Sequence, residues 1–208
     1  MADKIRIKVC GMRDPENIRK VADLKPDYLG FILYPPSKRY IGDDYELRSP
    51  LPKGISKVGI FVNALISEIV HWVNRLELDY VQLHGEESPE YCHELQLIGI
   101  SVIKSFGIDT GYDFNSIEPW LSATDYFLFD TKTPERGGSG KQFNWEQLKD
   151  YPFDRAFFLS GGIGPDDARS IKKIRDLPLH AVDINSRFEE SPAIKNIDLL
   201  KKFIRDLN

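Results

Sequence analysis

The stretch from Tyr126 to Trp145 reads YFLFDTKTPERGGSGKQFNW. Its first four residues, Tyr126 to Phe129, form a short apolar run with the aromatic content of a buried strand. A carboxylate, Asp130, stands where that strand ends. Gly137-Gly138-Ser139-Gly140-Lys141 then make a loop with almost no side-chain bulk and one cation. Glycines let backbone N–H groups turn toward an anion and approach it closely. An acid at a strand's C-terminal end, beside a loop that suits an anion, has the composition of an active-site rim. The remaining chain decides how many strands end on that rim.

Working outward, the same rhythm recurs. Ile5 to Val9 is a β-branched run that stops at Cys10-Gly11, and Asp14-Pro15 opens a helix with an N-cap acid and proline at the first helical position. Tyr28 to Leu33 is a second strand, followed by the loop Tyr34 to Tyr40 and a weak helix over Asp43 to Arg48. Strands three and four are Lys57 to Val62 and Tyr80 to Leu83, with helical spacing over Leu65 to Leu76 between them. Ser88 to Leu97 is a helix and Ile100 to Ser105 a fifth strand. Tyr112 to Leu121 carries a helical pattern interrupted by Pro119. After the sixth strand, Asn144 to Lys149 is a short helix and Ala156 to Leu159 the seventh strand. Pro165 opens a helix to about Ile174, Leu179 to Ile184 is the eighth strand, and Asn196 to Leu207 closes the chain as a helix. Strands alternating with helices mean a parallel sheet with crossovers. Eight such units imply an α/β fold of the (β/α)8 (TIM) barrel kind, a single domain over residues 1–208, near the lower size limit for that barrel. A doubly wound open sheet is the alternative reading of the same alternation.

The composition agrees with a globular chain. Of 208 residues, 41% are hydrophobic and 29% charged, and the net charge of −4 does not suit a nucleic-acid surface. No apolar run reaches the ~20 residues of a spanning helix, and the charged N-terminus is unlike a signal peptide. Two cysteines, Cys10 and Cys92, make no disulfide framework, which points to the reducing cytoplasm. The expected state is a monomer or weak homodimer acting on a small molecule, with neither nucleic acid nor membrane as partner.

In a (β/α)8 barrel the strand C-termini carry the chemistry. Strand one ends at Cys10, strand two leads to Arg39, strand four ends at His84 and strand six at Asp130. Strand seven ends at Ser160-Gly161-Gly162, and strand eight at Asp183 to Ser186. The last two match the usual phosphate position of such barrels. The segments KVCGMRDPENI, GFILYPPSKRYI, VGIFVN, VQLHGEES, DTKTPERGGSGKQFNW, LSGGIGPDDA and AVDINSRFE, in that order, resemble those of the phosphoribosylanthranilate isomerases of tryptophan biosynthesis.

The resemblance implies an Amadori rearrangement that turns N-(5-phosphoribosyl)anthranilate into a 1-deoxyribulose 5-phosphate derivative, with no metal or organic cofactor. It implies Cys10 as general base and Asp130 as general acid. Arg39 meets the anthranilate carboxylate, and the backbone of Gly161, Gly162, Asn185 and Ser186 holds phosphate. Gly137 and Gly138 shape the anion-friendly loop, and His84 orders the rim. The chemistry needs these types. Ring opening takes a proton that a carboxylic acid supplies, and the Schiff base then loses its C2′ proton to a base. A free thiol has a pKa of ~8.5, so the site must favour the thiolate; Lys8, two residues away on the same strand face, is the candidate. Lys8 and Asp183 are also placed to pair with each other inside the barrel. Burial should raise the pKa of Asp130.

Two departures fall in the phosphate region. Arg187 stands where the family pattern has glycine, and its PGxKD reads Pro192-Ala193-Ile194-Lys195-Asn196. We expect Arg187 to point outward, with only its backbone at the site. His84, Cys92 and His93 fit no usual zinc spacing. The competing function classes are another sugar-phosphate barrel enzyme, such as a ribulose-phosphate epimerase, and a non-catalytic barrel that binds a phosphate ligand.

Overall fold

Eight parallel strands close on themselves in sequence order. The computed structural model describes residues 4–48, 50–132 and 142–208. The strands are β1 (Arg6–Val9), β2 (Tyr28–Ile32), β3 (Ser56–Phe61), β4 (Tyr80–Leu83), β5 (Val102–Ile108), β6 (Tyr126–Thr131), β7 (Phe157–Leu159) and β8 (Leu179–Ile184). Each pairs with its sequence neighbour, and β1 pairs with β8 in the register Lys8 opposite Asp183, which seals the barrel. The open-sheet alternative is excluded by that last pairing.

Helices α1 (Pro15–Ala22), α2 (Ile66–Leu76), α3 (Pro89–Leu97), α4 (Ala168–Lys172) and α5 (Ile197–Leu207) lie outside. Local chemistry explains where they start. Asp14 accepts from the Asn17 amide at 2.7 Å, Ser88 from Tyr91 at 3.2 Å, and Asn196 from Asp198 and Leu199. Helix α2 ends at Glu77, which takes a left-handed backbone at φ 50°. Apolar residues at helical spacing, such as Ile69, Trp72 and Leu76 on α2 and Leu200, Phe203 and Leu207 on α5, are buried against the sheet.

Four expectations need correction. Asp43 to Arg48 forms a turn and an irregular segment, not a helix: the seven residues between Gly42 and Pro50 in the sequence are too few to repay helix nucleation. The segments after β5 and β6 are 3₁₀ helices, Phe114–Trp120 and Trp145–Asp150; the first contains Pro119, which lacks the donor an α-helix needs. Helix α4 covers only five residues, because the Asp167 carboxylate binds the Gly164 amide at 2.6 Å and does not cap the helix. A 3₁₀ turn (Ser186–Phe188) and a small hairpin, β9 (Glu189–Ser191) and β10 (Ile194–Lys195), follow β8, where only loop was expected.

Two hydrophobic clusters result. The larger lies between strands and helices and includes Val9, Phe31, Trp72, Phe127, Phe129, Phe157 and Phe203. The smaller fills the barrel interior with Cys10, Tyr28, Val58, Ile60, Ile103, Leu128, Phe158 and Ala181. Truncating a fully buried phenylalanine such as Phe127 should cost about 3–5 kcal/mol. Among the described residues no helix is long and apolar enough to cross a membrane.

Candidate active site

Alternation along the strands builds the interior in three levels, since residues two apart share a face. At the bottom Tyr28, Tyr80, Tyr126 and Phe158 meet edge to face, with ring centroids 5.2–6.0 Å apart. One step up along β1, β4 and β8 stand Lys8, Gln82 and Asp183, all buried. One step further, toward the C-terminal rim, stand Cys10, His84 and, on β6, Asp130.

The middle level is polar and closely paired. The Lys8 ammonium, fully buried, donates to Asp183 Oδ2 at 2.9 Å and to Gln82 Oε1 at 2.6 Å. A buried cation survives only with such partners. Burial opposes the Lys8 charge, but the Asp183 carboxylate and the nearby thiol outweigh it and hold the Lys8 pKa above its usual value. The anticipated Lys8–Asp183 pairing is therefore present. Asp183 Oδ1 is buried with no protein partner among the described residues, an acceptor left for something else.

Above this pair sit the thiol and the acid. Burial pushes the Cys10 thiol up; Lys8, Lys195 and Arg39 pull it down, and Asp183 adds to the rise, leaving a net upward shift. The expected bias toward a resting thiolate is not what this arrangement gives: three cations limit the cost of burial without cancelling it. Room for the sulfur comes from Gly30, where a Cβ would stand 2.9 Å from Cys10 Sγ. Asp130 behaves as expected. Burial raises its pKa to about 7, against the Thr131 amide, which donates to Oδ1 at 2.7 Å. Both Cys10 and Asp130 feel the Lys8–Asp183 pair from above.

His84 Nε2 lies 3.5 Å from Asp130 Oδ2. Its other ring nitrogen, Nδ1, is 3.0 Å from Gln82 Nε2. The loop behind it is clamped by a buried ion pair: Lys104 Nζ donates to Glu87 Oε2 at 3.0 Å and to the Gly85 carbonyl at 2.8 Å, while the Gly85 amide donates to Glu87. Gly161 flanks Asp130 from β7. It adopts φ +90°, and a Cβ there would stand 2.9 Å from Asp130 Oδ1. Glycine is thus needed at this position for the acid as much as for any anion.

Arg39 is held by a residue that the motifs did not single out. Its Nε donates to both Glu189 oxygens at 2.9 and 3.0 Å, and its Nη2 to Oε2 at 2.6 Å. Glu189 also accepts from Lys195 Nζ at 2.6 Å, and Lys195 donates to Asn185 Oδ1 at 2.7 Å. The Lys195 main chain exchanges hydrogen bonds with Asn17 of α1, which fixes the hairpin. Ala193, at the family's glycine position, keeps a left-handed φ of 68°. The Nη1 edge of Arg39 makes no hydrogen bond to a described residue.

The seventh and eighth loops meet at the expected place. Gly162 has φ +64°, and its carbonyl accepts from Gln142 Nε2 at 3.0 Å and from Arg187 Nη1 at 3.3 Å. The Arg187 side chain is exposed, as expected, but lies along the rim against Gly162 and Gly164 instead of leaving it. Asn185 and Ser186 open the short 3₁₀ turn beside it. Gly137 and Gly138 lie outside the described residues. Among the described residues no group of three His, Cys, Asp or Glu side chains is placed to hold a metal ion.

A closed parallel barrel whose rim carries a thiol, a protonatable acid, glycine turns at loop seven and a 3₁₀ turn at loop eight defines a protein of the (β/α)8 class with candidate acid–base groups at its strand C-termini. Comparison with known proteins narrows this. The family model for N-(5′-phosphoribosyl)anthranilate isomerase matches residues 7–206. The chain is 46% identical over 209 aligned residues to an enzyme of that name from Parabacteroides distasonis, covering 97% of this chain and 92% of that one. The crystal structure of phosphoribosyl anthranilate isomerase from Thermotoga maritima aligns with a TM-score of 0.86 at 37% identity, covering 98% of each chain. A structure of such an isomerase in complex with reduced 1-(o-carboxyphenylamino)-1-deoxyribulose 5-phosphate aligns with a TM-score of 0.82 at 32% identity, again over 98% of each. The chain belongs to the N-(5′-phosphoribosyl)anthranilate isomerase family.

Proposed function

We propose that this chain isomerises N-(5-phosphoribosyl)anthranilate to 1-(2-carboxyphenylamino)-1-deoxyribulose 5-phosphate, with Asp130 as general acid and Cys10 as general base. The observation that carries the reading is the pairing of environments: an acid held near pH 7 by burial and a thiol ringed by three cations, both above one buried Lys8–Asp183 pair. Asp130 gives its proton to the ribose ring oxygen as the C1′–O bond breaks, and the anilino nitrogen lone pair forms the iminium. The Cys10 thiolate takes the C2′ proton, and that bond's electrons neutralise the iminium to give an enolamine. Protonation at C1′ and loss of the C2′ hydroxyl proton yield the ketone.

Arg39 serves two carboxylates. Glu189 takes the Nε edge, and the remaining Nη edge is a second planar fork for the anthranilate carboxylate. The backbone around Gly161, Gly162, Asn185 and Ser186 receives the phosphate, with glycine dihedrals permitting close approach, and His84 faces the acid. Asp183 Oδ1, without a partner among the described residues, accepts from a substrate hydroxyl or amine. The chain works as one domain in the cytoplasm, as a monomer or weak homodimer, with no metal or organic cofactor.

The test is direct. Purified protein is mixed with freshly made phosphoribosylanthranilate and the loss of anthranilate-type fluorescence is followed. Cys10→Ala and Asp130→Asn should each cost at least about 10²-fold in kcat. Wild-type protein without turnover overturns the reading; a variant keeping more than about a tenth of wild-type kcat overturns that residue's role.

A further inference from the structure

Gln82 links the two halves of the site. Lys8 Nζ has donors only, so the Gln82 atom 2.6 Å from it must be the amide oxygen. The amide NH₂ then faces His84, and Nε2 donates to Nδ1 at 3.0 Å. A ring nitrogen that accepts carries no proton, so the imidazole proton sits on Nε2, the atom 3.5 Å from Asp130 Oδ2. The order of donors is thus fixed from the buried Lys8–Asp183 pair to the acid. Gln82 is itself buried at 2% exposure, so water does not substitute for either contact.

We propose that Gln82 is a positioning residue for the isomerisation. It locks His84 in the Nε2–H tautomer, so that His84 presents a donor to Asp130. This rests on the assignment of Asp130 as the acid. Once Asp130 has given up its proton, its carboxylate is largely shielded from water, and Oδ2, the oxygen away from the Thr131 amide, needs a donor; a His84 with a bare Nε2 would repel it. The distance of 3.5 Å is longer than a formed hydrogen bond and shortens as the carboxylate develops. Among the described residues, the titratable groups facing this pair are Lys8 from β1, Asp183 from β8 and the two residues themselves; Lys104 and Glu87 lie behind, on Gly85.

The first arm of the test is ¹⁵N NMR of histidine-labelled protein near pH 8. The chain has four histidines, and the resonances lost in His84→Asn identify His84. The expected wild-type result is a protonated Nε2 and a bare Nδ1. In Gln82→Glu, a carboxylate at this position still accepts from Lys8 but can only accept from His84, so Nδ1 should become protonated. The second arm is kinetic. Gln82→Glu should lower kcat about tenfold, equivalent to about 1.4 kcal/mol, with KM within about threefold, and should move the pH limb near 7 by at least about half a unit. Gln82→Met, which supplies neither contact, is the second variant should Gln82→Glu not fold. A wild-type His84 protonated on Nδ1 overturns the proposal. So does a folded Gln82→Glu or Gln82→Met enzyme with wild-type kcat and an unmoved limb. If wild-type protein does not turn over the substrate, the proposed activity fails, while the NMR arm still decides the tautomer.

Discussion

Raising the pH from 6 to 10 separates two ways in which this site could work. Burial holds the Asp130 pKa at about 7, and burial pushes the Cys10 thiol above its ordinary range. The reactive form needs the reverse of the resting order: a protonated Asp130 beside a Cys10 thiolate. Between pH 7 and the thiol pKa the pair carries one proton, mostly on sulfur. Because burial sets the thiol pKa above that of the carboxyl, the form with the proton on Asp130 is the minor one of the two. The fraction of that form does not vary with pH across the interval, so kcat/KM should climb as pH rises through about 7, level off, and fall only above the thiol range. The limb near 7 then reports the carboxyl and the upper limb the thiol, opposite to the usual assignment of acid and base. Because kcat/KM follows the free enzyme, initial rates at substrate concentrations far below KM give the profile. A kcat/KM that is high at pH 6 and declines through 7 would refute the reasoning, since that shape requires a thiolate already formed below pH 7.

Four further outcomes are expected. Asp130→Asn should stabilise the fold while abolishing turnover. The folded pKa of Asp130 lies above its unfolded value, so its ionisation costs nothing below about pH 4 and has its full cost above 7; denaturant titrations should show a gain of roughly 2–4 kcal/mol at pH 8 and almost none at pH 4. Arg39→Lys keeps the charge but cannot serve Glu189 and a second carboxylate with two planar edges, so KM should rise and kcat fall; unchanged kinetics would place the anthranilate carboxylate elsewhere. Arg187→Gly should leave KM nearly unchanged, whereas Gly162→Val, at φ +64°, should raise it strongly; a large KM rise for Arg187→Gly would make that guanidinium a phosphate ligand. Lys104→Met strands Glu87 as a buried charge, which should cost about 3–5 kcal/mol in thermal or chemical unfolding.

The barrel was legible because each strand is a short apolar run with a polar stop, and the stops at Cys10, His84 and Asp130 lie on the rim. Asp14-Pro15 marked a helix start through capping chemistry that acts over three residues, and the start placed at Ser88 proves to be capped in the same way. What was not legible depends on contacts too distant or geometry too irregular for a local pattern. The hairpin Glu189 to Lys195 has no alternating period, and its register shifts between Ile194 and Lys195. Arg39 and Glu189 are separated by 150 positions, so a motif could place the arginine near a carboxylate but not say that the protein already supplies one. The thiol's protonation was misjudged for a related reason. Lys8 could be seen two residues before Cys10, but the completeness of burial could not, and burial is the larger effect.

The polar level beneath the rim was half readable. Inward parity on β1 connects Cys10 to Lys8, and the same step on β4 connects His84 to Gln82, with Tyr80 one step below. In Tyr-Val-Gln-Leu the glutamine is the one side chain that an apolar barrel interior would not choose. A buried amide is tolerated only when both its ends are matched: its oxygen needs a donor and its NH₂ an acceptor. Lys8 supplies the first across the barrel and His84 the second along the strand, so the three residue types constrain one another. Removing the lysine would leave the amide oxygen unmatched, and replacing the histidine with an apolar residue would strand the NH₂. The parity rule therefore carries more than fold information. An inward-facing polar residue one step below a rim residue marks a contact that the rim residue depends on, and Gln82 under His84 meets that description as fully as Lys8 under Cys10.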